Sequence, residues 1–135
     1  MPAILKGWID RVFAMGFVYG QGVGVYETGG LKGKKAMLSV TTGGPQSKYS
    51  PSGMNGDIHE KILFHINHGM LYFSGMEVLE PFIAWSPVRD ETLRMQYLED
   101  YEKRLLSLDA APTIFYHPSS DFDETMQLKP DYQQR

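Results

Sequence analysis

The 135-residue sequence contains no cysteine, so disulfides, thiolate nucleophiles and cysteine-ligated zinc are all excluded. Charge of one sign is also scarce. Thirteen basic against sixteen acidic residues leave a net charge of -3, which argues against nucleic acid as a partner, because phosphate binding wants a basic face. Neither a signal peptide nor an apolar run of membrane-spanning length is visible, and a cytoplasmic address is expected. No internal repeat or low-complexity segment occurs. The chain is well supplied with apolar residues, at 42%, and with aromatics, at 13%. That is enough for one globular domain with a core. Aromatic side chains fill cores, and they also line sites for planar ligands.

The sequence is organised around Leu38-Ser39-Val40-Thr41-Thr42-Gly43-Gly44. The run Ala36 to Val40 is almost wholly apolar, which suits a parallel strand covered on both faces. Such strands deliver ligand-binding loops at their carboxyl ends. Two glycines there let a ligand approach the backbone, since no Cβ intervenes. Thr41 and Thr42 offer hydroxyls, Gly43 and Gly44 offer N–H groups, and Tyr49 offers a phenol, a set that suits a flat polar ligand. The same pair of glycines is common turn punctuation, so the stretch alone is open to both readings.

Around this strand the hydrophobic periodicity predicts a helix from Pro2 to Phe13, with a broad apolar stripe of Ile4, Leu5, Trp8, Ile9, Val12 and Phe13. Gly16 to Gly30 reads as a mobile, glycine-rich loop carrying Phe17, Tyr19 and Tyr26. Its Gly20-x-Gly22-x-Gly24 is not a nucleotide fingerprint, because no strand leads in and no helix follows. A second helix begins near Asp57, with Glu60 completing a capping-box pattern, and stops at Gly75. His65 and His68 share a face of it. No third ligand converges on them, and no metal is expected. Met76 to Trp85 is the next strand, with Pro81 marking an edge or a bulge. A third helix runs from about Asp90 to Leu108, with Leu93, Tyr97, Leu98, Tyr101, Leu105 and Leu108 as its stripe. From Asp109 on, an extended tail offers Ile114-Phe115-Tyr116 and Phe122 as docking points.

The order helix, strand, helix, strand, helix, tail predicts an α/β fold with a right-handed parallel βαβ unit. Two parallel strands make a poor domain, and the first is too apolar for a sheet edge. The expected architecture is therefore the C-terminal part of a doubly wound sheet, a single partial domain over 1–135. Its α/β core covers about 1–108 and its tail about 109–135, with the missing strands supplied by a longer parent or by a partner.

Pro2-Ala3-Ile4-Leu5-Lys6-Gly7-Trp8-Ile9-Asp10-Arg11-Val12-Phe13 resembles the helix of the flavodoxin-like NAD(P)H:quinone oxidoreductases, the DT-diaphorase family. Gly33-Lys34-Lys35-Ala36, Thr41-Thr42-Gly43-Gly44, Tyr49-Ser50 and Gly53-x-Asn55-Gly56-Asp57 continue the resemblance in order. So do Phe73-x-Gly75, Val78-Leu79-Glu80-Pro81, Lys103-Arg104-Leu105 and Pro118-Ser119-Ser120-x-Phe122. The resemblance implies a homodimeric flavin enzyme with sites at the subunit interface. In such an enzyme FAD, or alternatively FMN, takes a hydride from NAD(P)H and passes one to a quinone. It implies that Thr41, Thr42, Gly43 and Gly44 contact the isoalloxazine, with Gly43 and Gly44 also facing the substrate. Tyr49 would hydrogen-bond the ring near its pyrimidine edge, Tyr19 would belong to the substrate pocket, and Arg94 and Leu98 would hold the adenine-side half of FAD. Asn55 stands where well-studied animal members carry a histidine. The family's first strand and phosphate-binding loop would lie before Pro2. The rival expectation is a non-catalytic half-domain acting as a pairing or regulatory module.

Overall fold

The computed structural model describes residues 1–132. Helix α1 (Ala3–Val12) starts directly after Pro2, whose fixed φ of -58° leads the chain into the first turn. Strand β1 (Lys35–Thr42) lies parallel to strand β2 (Glu77–Trp85), in register from Lys35 opposite Glu77 to Thr42 opposite Trp85. Helix α2 (58–72) crosses between them, and helix α3 (Glu91–Leu106) follows β2. This is the parallel βαβ order expected from the sequence.

The register slips once. Met37 pairs with Leu79, but Ser39 pairs with Phe82, so β2 carries one extra residue around Glu80-Pro81. Proline has no N–H for the ladder, and the strand bulges where it sits. The outer edge of β2 is met around Leu79 by the tail, which runs antiparallel to it at Thr113. Glu80 N–H donates to Pro112 O at 2.9 Å, and Ile114 N–H to Val78 O at 2.8 Å. Val78 and Leu79, flanked on both sides, are both only 2% exposed.

Helix α2 is built of Ile58–Leu63, Phe64–Ile66 and Asn67–Tyr72, the first and last of these wound as π-helix. Asp57 caps it: its Oδ1 accepts from the N–H groups of His59 at 2.8 Å and Glu60 at 2.9 Å. Ile58, Leu63 and Leu71 are buried. The helix stops at Gly75, whose φ of +99° favours glycine. A Cβ on Gly75 would stand 2.6 Å from Gly29 O, so two backbones pass with nothing between them. That contact, with Tyr26 N–H on Phe73 O and Leu31 N–H on Ser74 O, ties the glycine-rich loop to the end of α2. The loop expected to be mobile is therefore held by backbone hydrogen bonds, and it contributes Val18, 1% exposed, to the core.

Four expectations need correction. Strand β1 is not buried on both faces: each of its residues is half-buried or exposed, because only β2 lies beside it among the described residues. The stripe of α1 is largely uncovered, with Ile4 at 87% and Trp8 at 53% exposure. In α3 only part of the stripe packs. Tyr97 and Tyr101 meet Phe82, at 6.4 and 4.9 Å between ring centroids, while Leu98 and Leu105 face out. Phe115, expected to dock, is exposed, while Tyr116 beside it enters an aromatic cluster.

A free strand edge and an apolar helix face both recruit partners. The chain is expected to sediment at micromolar concentration as a dimer or larger. A monodisperse monomer in analytical ultracentrifugation would contradict this.

Candidate functional site

Parallel strands bring their carboxyl ends together, and here those ends are Thr42 and Trp85. Ser86 N–H donates to Thr42 O at 3.0 Å and links the two exits. Thr42 Oγ1 donates to Gly44 O at 2.8 Å, folding the Gly43-Gly44 turn back onto the strand. A short turn, Gln46–Tyr49, then carries the Tyr49 ring to within 5.5 Å of Trp85. Asn55 N–H donates to Lys48 O at 2.8 Å, which sets Asn55, exposed, on the loop beyond. That approach requires Gly53, where a Cβ would lie 2.5 Å from Lys48 O.

The electrostatics of this corner are those of a donor site. Neither Gly43 nor Gly44 donates its N–H to a backbone acceptor among the described residues, although Gly44 is buried. Buried amides are ordinarily paired, so an unengaged one marks a place for an outside acceptor. A Cβ at Gly43 would meet nothing within 4 Å, which leaves its backbone open to a flat ligand. Ser86 has φ of +50° and a buried Oγ without a partner among the described residues. Strained backbone and orphaned hydroxyls of this kind concentrate at ligand sites.

Thr41, Thr42, Gly43, Gly44, Tyr49 and Asn55 thus fall at one end of the sheet. Thr41 is exposed and makes no side-chain hydrogen bond among the described residues, whereas Thr42 shapes the turn. Arg94 and Leu98 sit on the exposed face of α3. The Arg94 guanidinium lies 4.0 Å from Glu91, and Leu98 is 59% exposed. Trp85 and Ser86 were missed in the sequence reading. The available signal was a tryptophan at the carboxyl end of the second parallel strand.

Tyr19 is elsewhere. Its ring lies 5.3 Å from Phe73, at the end of α2 where β2 begins. One strand length, roughly 20–25 Å at about 3.3 Å per residue, separates that end from Gly43. There Tyr19 adjoins a second aromatic group: Tyr26 contacts Phe73, Tyr72 and His68, each at 5.5 Å. His68 is stacked on Phe64 at 4.8 Å, and burial lowers its pKa. The Tyr72 phenol is raised by burial and by the nearby Glu27. His65, by contrast, is exposed.

Comparison with known proteins agrees with this geometry. The profile of the flavodoxin-like fold matches residues 1–105, and the chain belongs to that family. It is 41% identical over 128 residues to NAD(P)H dehydrogenase [quinone] 1 of Rattus norvegicus, covering 94% of this chain and 46% of the relative. It is 42% identical over 120 residues to ribosyldihydronicotinamide dehydrogenase [quinone] of the same species, covering 88% and 51%. A Klebsiella pneumoniae structure assigned as a quinone reductase superposes with TM-score 0.88 at 39% identity, over 98% of this chain and 55% of that one. General stress protein 14 of Treponema denticola, solved with FMN, superposes with TM-score 0.60 at 27% identity, over 81% and 57%. The chain spans about half the length of the curated relatives it matches.

The two glycine environments make opposite demands. Gly43→Ala has open space and should change stability by less than about 1 kcal/mol. Gly53→Ala forces a Cβ onto the Lys48 carbonyl and should cost about 1–3 kcal/mol. Urea unfolding of the two variants checks the difference, and equal midpoints would contradict the loop geometry.

Proposed function

We propose that the carboxyl ends of β1 and β2 form part of a flavin site, and that the protein works as an NAD(P)H:quinone oxidoreductase. The observation carrying this reading is the pair of backbone donors at Gly43 and Gly44, unengaged among the described residues and set beside Tyr49 and Trp85. A flat ring rich in acceptors fits that corner: open backbone at Gly43, with N–H groups along its edge. The names of the relatives point the same way. FAD is our reading of the flavin and FMN the alternative, the latter being what the Treponema protein holds.

The chemistry a bound flavin supplies is hydride acceptance from NAD(P)H and hydride donation to a quinone. The chain's own part is binding and electrostatics. Gly43 and Gly44 N–H and the Tyr49 phenol would hold the ring by hydrogen bonds, as fixed donors that need no reorientation to stabilise negative charge. Thr42 holds the turn that aims them. Asn55 hydrogen-bonds but does not titrate near neutral pH, so it holds a substrate oxygen without taking up a proton. Arg94 and Leu98, exposed on α3, are assigned to the adenine-side half of FAD. Tyr19 reaches a quinone only from a second copy, because its own strand end is opposite the Gly43 turn. On this reading the working form is a homodimer, whether of this chain or of a longer parent that completes the sheet.

A second reading, a non-catalytic pairing module, is favoured by the open edge of β1 and the uncovered face of α1. Flavin retained through purification, absorbing near about 450 nm, would support the enzyme. Colourless protein that takes up neither FAD nor FMN would support the module.

Two variants test the roles. Tyr49→Phe is expected to slow flavin reduction by NAD(P)H about 10-fold, the scale of one lost transition-state hydrogen bond. An unchanged stopped-flow rate with flavin still bound removes that role from Tyr49. Asn55→His is expected to add an ionisation to the rate profile between about pH 5 and 8. Superimposable profiles for both forms would place Asn55 away from the reacting ring.

A further inference from the structure

The tail motif Pro118-Ser119-Ser120-x-Phe122 takes no part in the Gly43 corner. With the glycine-rich loop and the last turn of α2 it closes a cavity of about 320 Å³, at the low end of the range for small-molecule pockets, about 300–1,000 Å³. Tyr26, His68, Tyr72, His117, Phe122 and Met126 supply most of the lining, and the walls are largely apolar. The tail wall is fixed in place. Tyr72 Oη donates to His117 O at 3.3 Å, and Ser119 N–H donates to Glu27 Oε1 at 3.1 Å.

The lining is held in conformations that ordinary packing does not ask for. Tyr26 and Met126 have φ of +51° and +62°, two of the three non-glycine residues with left-handed backbone among the described residues. A bulky side chain adopts that backbone under strain, and such strain gathers at ligand sites. His68 and Tyr72 stand on the π-wound end of α2, a rare winding that is frequent at functional sites. It brings their rings to 5.5 Å from each other. The polar group of the cavity is His117. Its Nδ1 lies 2.8 Å from Asp121 Oδ2, and Asp121 is only 9% exposed. A carboxylate accepts, so the proton rests on Nδ1, and Nε2 of the neutral ring keeps its lone pair. Nε2 has no hydrogen-bond partner among the described residues and is not buried, the His117 side chain being 24% exposed.

We propose that this cavity binds a phenol. The planar ring lies among Tyr26, Tyr72 and Phe122, and its hydroxyl donates to His117 Nε2 while Asp121 holds the imidazole in orientation. Aromatic walls take up a flat ring through offset and edge contacts, and an unpaired acceptor beside them asks for an O–H. No lysine or arginine lines the cavity among the described residues, so a carboxylate or phosphate would lack a fixed cation there. His117 touches the ligand, and Asp121 is a positioning residue. The inference uses neither the Gly43 corner nor a flavin, so it and the flavin reading can fail separately.

The test is a titration of the full 135-residue chain with 2-naphthol, followed by backbone amide NMR, beside 2-methoxynaphthalene, which keeps the ring and cannot donate. Saturable shifts are expected at residues 25–26, 68–72 and 117–126, with 2-naphthol tighter by at least about 10-fold, the scale of one hydrogen bond. His117→Phe should abolish that preference while the ether binds as before. Asp121→Asn should abolish it too, because an amide N–H on Nδ1 turns Nε2 into a donor. Ring nitrogen spectra of the parent chain, which need no variant to fold, should show the His117 Nε2 signal moving with 2-naphthol and not with the ether. Equal affinity for the ether, shifts centred elsewhere, no saturation, or a His117→Phe protein that keeps the preference would each overturn the proposal.

Discussion

A β-strand carries hydrogen-bonding groups along both edges, and the chain must satisfy them or leave them open. Strand β2 has β1 on one side and, from Val78 to Glu80, the tail at Thr113 on the other. Strand β1 has β2 on one side and no strand on the other among the described residues. The rest of the structure depends on this asymmetry. The fully buried residues Val78 and Leu79 belong to β2, while every residue of β1 keeps some exposure. The helix meant to cover the sheet, α1, has little sheet to cover and shows its apolar face.

The same geometry decides how the candidate site is divided. Parallel strands place both carboxyl ends together, which gathers Gly43, Gly44, Tyr49, Trp85 and Ser86 without any long-range device. Helix α2 then returns the chain to the other end of the strands, where Gly29 against Gly75 locks the glycine-rich loop. Tyr19, Tyr26, Phe73, His68 and Tyr72 assemble there. One copy therefore carries two aromatic groups a strand length apart. A reaction needing both must draw them from different copies, or use only one.

What was legible in the sequence was local. Asp57 three residues before Glu60 marks a helix start because the orphan amides there need an acceptor, and Asp57 Oδ1 supplies it. Pro81 announced an edge or a bulge because it lacks an N–H, and the register slips at that point. Thr42, Gly43 and Gly44 were readable as a turn at a strand exit. What escaped was set by tertiary packing. The π winding of α2 leaves no periodic signature that departs clearly from an α-helix. Trp85 looked like an ordinary strand residue until its neighbour across the sheet was known. The tail's pairing with Val78 and Glu80 is antiparallel and distant in sequence, so no pattern near Thr113 reveals it. The apolar stripes of α1 and α3 were correctly seen as stripes, yet a stripe says what a helix wants to bury and not whether anything is there to bury it.

Completion of β1 on its free edge is the requirement that the functional protein has to meet. Hydrogen exchange across Met37 to Thr41, followed as the protein is diluted, measures this directly. The structure predicts that amides bonded to β2 stay protected throughout, while those on the opposite edge are protected only where the chain is assembled and exchange freely once it is alone. Uniform, dilution-independent protection of both edges in a monomer would show that the chain completes its own sheet, and would contradict the account.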